Sequence, residues 1–148
     1  MGMLTHTSHR VIEWGDCDPA GIVFNPNFFS FFNQCTTELC ELAGWRNQDL
    51  GEHGFVGCPL VQLRAEFKAS CTYGDKITIA TGVVEVRRSS FDIEHRLSLG
   101  QNLCVSAYET RVWCVRDAAT GKIRSDRLPE DLAARLRGEA PEARADKR

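Results

Sequence analysis

Long apolar runs are missing from this chain. No stretch approaches the roughly 20 residues that cross a bilayer, and the opening MGMLTHTSHR has no charged region followed by an apolar core, as a secretory leader would. A cytoplasmic protein with no membrane partner is expected. Gly2 does not signal N-myristoylation, because His6 stands where that signal needs Ser or Thr. An excess of one charge is missing too. With 18 Lys plus Arg against 20 Asp plus Glu and no long basic run, the electrostatic footprint of a nucleic-acid binder is absent. The seven cysteines (17, 35, 40, 58, 71, 104 and 114) are odd in number and show no C-x-x-C spacing, which argues against a disulfide framework or a zinc cage. They read as reduced thiols acting as small apolar residues. Cys35 and Cys40, five apart, do not share a helix face.

What is present is enough for one core. A chain of 148 residues buries about two thirds of its unfolded surface. From Phe28 to Ala43, the residues Phe28, Phe31, Phe32, Cys35, Leu39 and Leu42 follow helical spacing, and Phe29, Cys40 and Ala43 widen the apolar stripe beyond one face. Asn25 is the expected N-cap, with Pro26 in the first helical position and Gly44 as the C′ residue. Strands are expected over His9 to Trp14, Leu60 to Phe67, Lys76 to Val86, Phe91 to Leu99 and Leu103 to Val115, from alternation and β-branched content. The connections RRSS and GQN suit hairpins and are too short for parallel crossovers. A short helical or irregular piece falls around Arg46 to His53, and LPEDLAARLR predicts a helix from Pro129. An α+β fold follows, a curled antiparallel sheet of about five strands around one long helix. It occupies residues 1–137, and 138–148 form a polar tail expected to be disordered.

The chemistry concentrates in WGDCDPAGIVFNPNFFSFF, where two aspartates and a turn immediately precede the apolar helix. A helix N-terminus offers unpaired N–H groups and about half a positive charge, suited to an anion or a polarised carbonyl oxygen. The turn through Pro19, Ala20 and Gly21 can aim a carboxylate at that point, and Gly21 lets a ligand approach the backbone. From spacing alone, two solvated aspartates in a loop fit equally well.

GDCDPAGIVFNPNFFSFF, with the later VGCPLV, YGDKITI and RRSSFDIEHRL, resembles the hot-dog-fold acyl-CoA thioesterases, and most of all the 4-hydroxybenzoyl-CoA thioesterase group. The matches run from about Arg10 to Arg116. The resemblance implies a hot-dog fold, a homodimer with active sites at the subunit interface, often paired into a homotetramer, and thioester hydrolysis with no cofactor, coenzyme A being part of the substrate. It places the catalytic carboxylate at Asp18 and the oxyanion donor at the backbone N–H of Asn25, and leaves Asp16 structural. Pro19, Gly21, Phe24, Asn33 and Cys58 correspond to acyl-side positions. Arg87, Arg88, Ser89 and Ser90, with Arg124 further on, correspond to the coenzyme A grip. Three departures matter. Ser89 replaces a lysine of relatives, Cys58 replaces a threonine, and Asn33 replaces an aspartate that accepts a ring hydroxyl in the 4-hydroxybenzoyl enzyme. An aromatic or similarly bulky acyl-CoA is therefore the expected substrate, and a short aliphatic one stays open.

A thiol leaving group with a pKa of about 8.5, by analogy with cysteine, departs without a strong general acid, so no catalytic histidine is required. His95 lies in a strand pattern and His53 in a turn, neither with an obvious acidic partner. The helix carries no histidine and only Glu38 and Glu41 as carboxylates, which argues against hydratase chemistry. A non-catalytic module that binds acyl-CoA or acyl carrier protein is the other reading.

Overall fold

The computed structural model describes residues 2–46, 51 and 54–143. Strand β1 (Thr5–Val11) leads through a 3-10 turn at Trp14–Asp16 to helix α1 (Asn25–Leu42). Strands β2 (Phe55–Gly57), β3 (Leu60–Phe67), β4 (Lys76–Val86), β5 (Ser90–Leu99), β6 (Asn102–Val112), β7 (Cys114–Arg116) and β8 (Ile123–Ser125) follow, and helix α2 (Glu130–Leu136) closes the described chain. The main sheet runs β1-β4-β5-β6-β3 with every pairing antiparallel; β2, β7 and β8 form a second, small sheet.

α1 lies against the concave main sheet. Phe28, Phe31, Phe32 and Cys35 pack with Ile77, Ile79, Leu97 and Val105, while Leu39 and Ala43 join Phe91, Ile93, Trp113 and the α2 residues Leu132 and Leu136. Each Leu, Ile, Val or Phe among them contributes about 1.5–3 kcal/mol on full burial. The wrapping is incomplete: Ser30, Asn33, Gln34 and Glu41 face outward, so the sheet of one chain covers one side of the helix. Gly44, at φ +96°, ends α1. The Trp45 N–H reaches the Cys40 carbonyl at 3.0 Å and the Gly44 N–H that of Glu41 at 2.9 Å, the paired bonds of a Schellman motif.

Three boundaries differ from expectation. The N-cap is Phe24, not Asn25, with no side-chain cap and with Pro26 second in the helix. The Asp16 carbonyl takes both the Phe24 N–H at 2.9 Å and Asn27 Nδ2 at 2.8 Å, drawing the chain into the helix one residue early. The first strand is Thr5–Val11 rather than His9 to Trp14, since the chain turns at Trp14. The expected strand Leu103 to Val115 breaks at Trp113, whose N–H bonds the Ser89 carbonyl at 2.8 Å, and the chain passes into the second sheet. Of the piece expected around Arg46 to His53, residues 47–50, 52 and 53 lie outside the described residues. α2 starts at Glu130, with Pro129 as its cap.

Candidate active site

The loop from Asp16 to Phe24 is stitched shut. Asp16 Oδ2 accepts the Glu13 N–H at 2.8 Å, so this carboxylate is structural. Asp18 N–H bonds the Ile22 carbonyl at 2.9 Å, and Gly21 N–H the Asp18 carbonyl at 2.9 Å, with Gly21 at φ +82°. Val23 N–H is held by Cys71 O at 2.8 Å, and Thr72 Oγ1 donates to Gly21 O at 2.6 Å. Within this frame the half-buried Asp18 accepts the Ala20 N–H on Oδ1 at 2.8 Å. Its Oδ2 has no hydrogen-bond partner among the described residues, so one oxygen fixes the carboxylate and the other stays available.

At the helix start, Pro26 has no N–H and Asn27 N–H is turned back to Phe24 O at 2.8 Å. The Asn25 N–H bonds no described residue, and it carries the partial positive charge of the helix end. Asn25 opens on a cavity of about 260 Å3 lined by Ile22, Val23, Phe28, Phe67 and Cys71. An exposed Pro19 and a 52 % exposed Phe24 flank the loop.

The other expected residues lie in two further places. Asn33 and Cys58 line a separate cavity of about 350 Å3 against Trp45, Phe55, Trp113 and Arg111. At the β4–β5 turn, Arg87 is engaged: it donates to Asp92 through two nitrogens at 2.9 and 2.6 Å, to Glu85 at 3.0 Å and to Ser90 Oγ at 2.9 Å. These bonds from Arg87, with help from Thr110 and Tyr108, bring the Asp92 carboxyl down to about 2. Arg88 instead lines a groove of about 470 Å3 with Arg127 and Arg137, two arginines that sequence reasoning did not select. Their spacing of ten residues across a strand-to-helix connection carries no local pattern. Ser89 contributes its carbonyl to the fold, and Arg124 pairs with Asp117 at 3.4 Å and Asp126 at 3.6 Å.

His95 does have an acidic partner. It is fully buried, with Nε2 3.4 Å from Glu109 Oε1 and 3.2 Å from Thr36 Oγ1, and Nδ1 2.8 Å from Thr81 Oγ1. Thr36 donates to Glu109, and Phe32 stacks on the imidazole. Fully enclosed among the described residues, His95 has no exposed surface to offer a substrate carbonyl. His53 lies outside the described residues.

A curled antiparallel sheet over one long helix, with a tethered carboxylate ahead of that helix, defines a hot-dog-fold thioester hydrolase. The sequence model of the thioesterase-like superfamily matches residues 12–136, and the chain belongs to that family. It is 36 % identical over 133 residues to the 4-hydroxybenzoyl-CoA thioesterase of Pseudomonas sp. strain CBS-3, covering 84 % of this chain and 92 % of the relative. Among solved structures, a mutant 4-hydroxybenzoyl-CoA thioesterase complexed with 4-hydroxybenzoyl-CoA aligns with a TM-score of 0.80 at 31 % identity, covering 90 % of this chain and 99 % of that one. A gentisyl-coenzyme A thioesterase aligns with a TM-score of 0.76 at 27 % identity over 86 % of this chain and 98 % of the other.

Proposed function

We propose that this chain hydrolyses an aromatic acyl-CoA to the free acid and coenzyme A, using Asp18 and the Asn25 N–H. The observation that carries this reading is the pairing of a carboxylate tethered through one oxygen with an unbonded N–H at the helix start. The thioester carbonyl oxygen accepts from Asn25 N–H, which stabilises the negative charge that develops there. The free Asp18 oxygen then either takes a proton from an attacking water or attacks the carbonyl carbon itself to give an anhydride that water opens. In both routes the C–S bond breaks and coenzyme A leaves as thiolate, with no metal or organic cofactor. Single turnover in oxygen-labelled water reports on the route: label left on Asp18 requires an anhydride opened at the aspartyl carbon, whereas direct attack by water, or opening of the anhydride at the substrate's acyl carbon, labels the product acid.

The active unit in this reading is a homodimer or a dimer of dimers, a homotetramer, in the cytoplasm, where seven free cysteines stay reduced. β3 ends the sheet with no strand paired to its outer edge among the described residues, and Leu60, Val61 and Phe67 on it are 42, 59 and 48 % exposed, the kind of edge that invites pairing with a second copy. The acyl group enters the cavity lined by Asn33 and Cys58, which within one chain is distinct from the cavity at Asn25. Arg88, Arg127 and Arg137 receive the coenzyme A phosphates, and Arg87, through Asp92, holds the turn that presents Arg88.

Thiol release from a panel of acyl-CoA thioesters tests this, with Asp18→Asn alongside. The variant should bind as the wild type does and lose about 10²- to 10⁴-fold in kcat. Equal turnover by wild type and variant refutes the assignment, and a wild type with no turnover points to the binding-module reading.

A further inference from the structure

The cavity beside α1 carries a polarity of its own. It encloses about 350 Å3, within the range of small-molecule sites, and Trp45, Phe55 and Trp113 form an aromatic wall with Phe55 and Trp113 stacked at 4.1 Å between centroids. Among the described residues no carboxylate lines it, whereas Arg111 does. Burial pushes the Cys40 thiol up to about 12 and raises that of Cys58 as well, so both thiols on the wall remain neutral.

Arg111 fixes which way Asn33 points its amide. Four of the five guanidinium N–H groups have acceptors: Nε reaches Glu109 Oε1 at 3.3 Å, one terminal nitrogen reaches Cys58 O at 3.3 Å, and the other reaches Asn33 Oδ1 at 3.1 Å and Glu109 Oε2 at 3.4 Å. A guanidinium only donates, so Asn33 must turn its oxygen toward Arg111 and leave its NH2 group outward. That NH2 has no partner among the described residues. The neighbouring hydroxyls are engaged, Thr37 with Asn33 O at 3.0 Å and Thr36 with Glu109. Glu109 itself is 2 % exposed and shielded behind Arg111. What this corner offers a ligand is therefore the Asn33 amide donors and the remaining N–H of Arg111, on a positive background.

We propose that the Asn33–Arg111 corner determines acyl specificity and selects aromatic acyl groups bearing a hydrogen-bond acceptor, a carboxylate above all, on the ring position remote from the thioester. A ring hydroxyl can accept one of these bonds but must also place its own proton, whereas a carboxylate takes both donors and brings a charge that suits Arg111; an aspartate in place of Asn33 would present acceptors instead. The inference rests on the thioester-hydrolase reading, in which this cavity receives the acyl group.

Non-hydrolysable thioethers separate the two. Calorimetric titration of the intact protein with S-(4-carboxyphenacyl)-CoA, S-(4-hydroxyphenacyl)-CoA and S-phenacyl-CoA should show the carboxy analogue bound at least about tenfold more tightly than the hydroxy one, the discrimination expected when a buried polar group is left unpaired. Asn33→Asp, on an outward-facing helix position, should reverse the order. Equal or opposite preference in the wild type, an unchanged order in the variant, or no binding of any analogue overturns the proposal. The expected binding order without thiol release from any benzoyl-CoA upholds this selectivity and refutes the hydrolase reading; thiol release without that order does the opposite.

Discussion

Asp18 and Glu109 are both carboxylates beside α1, and the fold treats them in opposite ways. Glu109 lies under the middle of the helix, 2 % exposed, with His95, Thr36 and Arg111 around it. Burial alone would raise its pKa, yet the hydrogen bond from His95, the charge of Arg111 and the Thr36 hydroxyl more than offset that, and the group stays below the ordinary carboxylate range. Asp18 lies at the rim of the helix N-terminus with a single backbone donor. Paired on both oxygens and closed off, a buried carboxylate constrains the fold and meets no substrate; paired on one oxygen at a rim, it keeps the other for chemistry. The contrast predicts that the two residues fail differently when changed.

The largest stability loss belongs to Glu109. Glu109→Ala leaves Arg111 without its counter-charge and His95 without a hydrogen-bond partner in a closed layer, and removal of one partner from a buried pair costs about 3–5 kcal/mol. Urea unfolding should show that drop. A loss under about 1 kcal/mol would mean that water reaches the layer and would break the contrast.

Asp92 falls between the two. It is 5 % exposed and takes two Arg87 nitrogens plus Thr110 and Tyr108. Its folded pKa, about 2 against 3.8, is depressed, so its contribution is complete above the unfolded value and disappears as pH falls from about 4 through about 2. Because Arg87 is 39 % exposed, solvent screening reduces that contribution to about 1–2 kcal/mol. Asp92→Asn should remove this part of the acid dependence of the urea midpoint and leave the stability above pH 5 lower by a similar amount.

Gly21→Ala should cost less. No atom lies within 4 Å of the added carbon, so strain at φ +82° is the whole penalty, about 1 kcal/mol. The turn that carries Asp18 would shift, and kcat should fall with KM little changed. An unchanged kcat would show that the turn does not set the position of the carboxylate.

Legibility in the sequence follows the same division. The long strands β3 and β4 fall where their alternation places them, and the buried stripe of α1 was readable from Phe28 to Leu39 because a helix against a sheet must show one apolar face. β1 was misplaced because Thr5–Val11 is largely polar on both sides, and the three-residue strands β2, β7 and β8 are too short for any period. Family membership was legible in the DCDPAG loop, whose turn residues stand next to the helix they serve. The His95–Glu109 pair was not, since its members sit 14 residues apart and meet only through the β5–β6 register. Arg127 and Arg137 escaped notice for the same reason: their common groove with Arg88 exists only after α2 docks.

The smallest expected shift is the stability of Asp18→Asn, and it sharpens the comparison most. Asparagine retains an oxygen that can accept the Ala20 N–H now bonded at 2.8 Å, and its amide nitrogen replaces the oxygen that has no partner among the described residues, at a half-buried position open to water. Nothing buried loses a partner, so the unfolding free energy should change by no more than about 0.5 kcal/mol, while kcat falls by orders of magnitude. A change of several kcal/mol would place Asp18 with Glu109 among the carboxylates that hold the fold, and the loss of turnover would then report on structure rather than on chemistry.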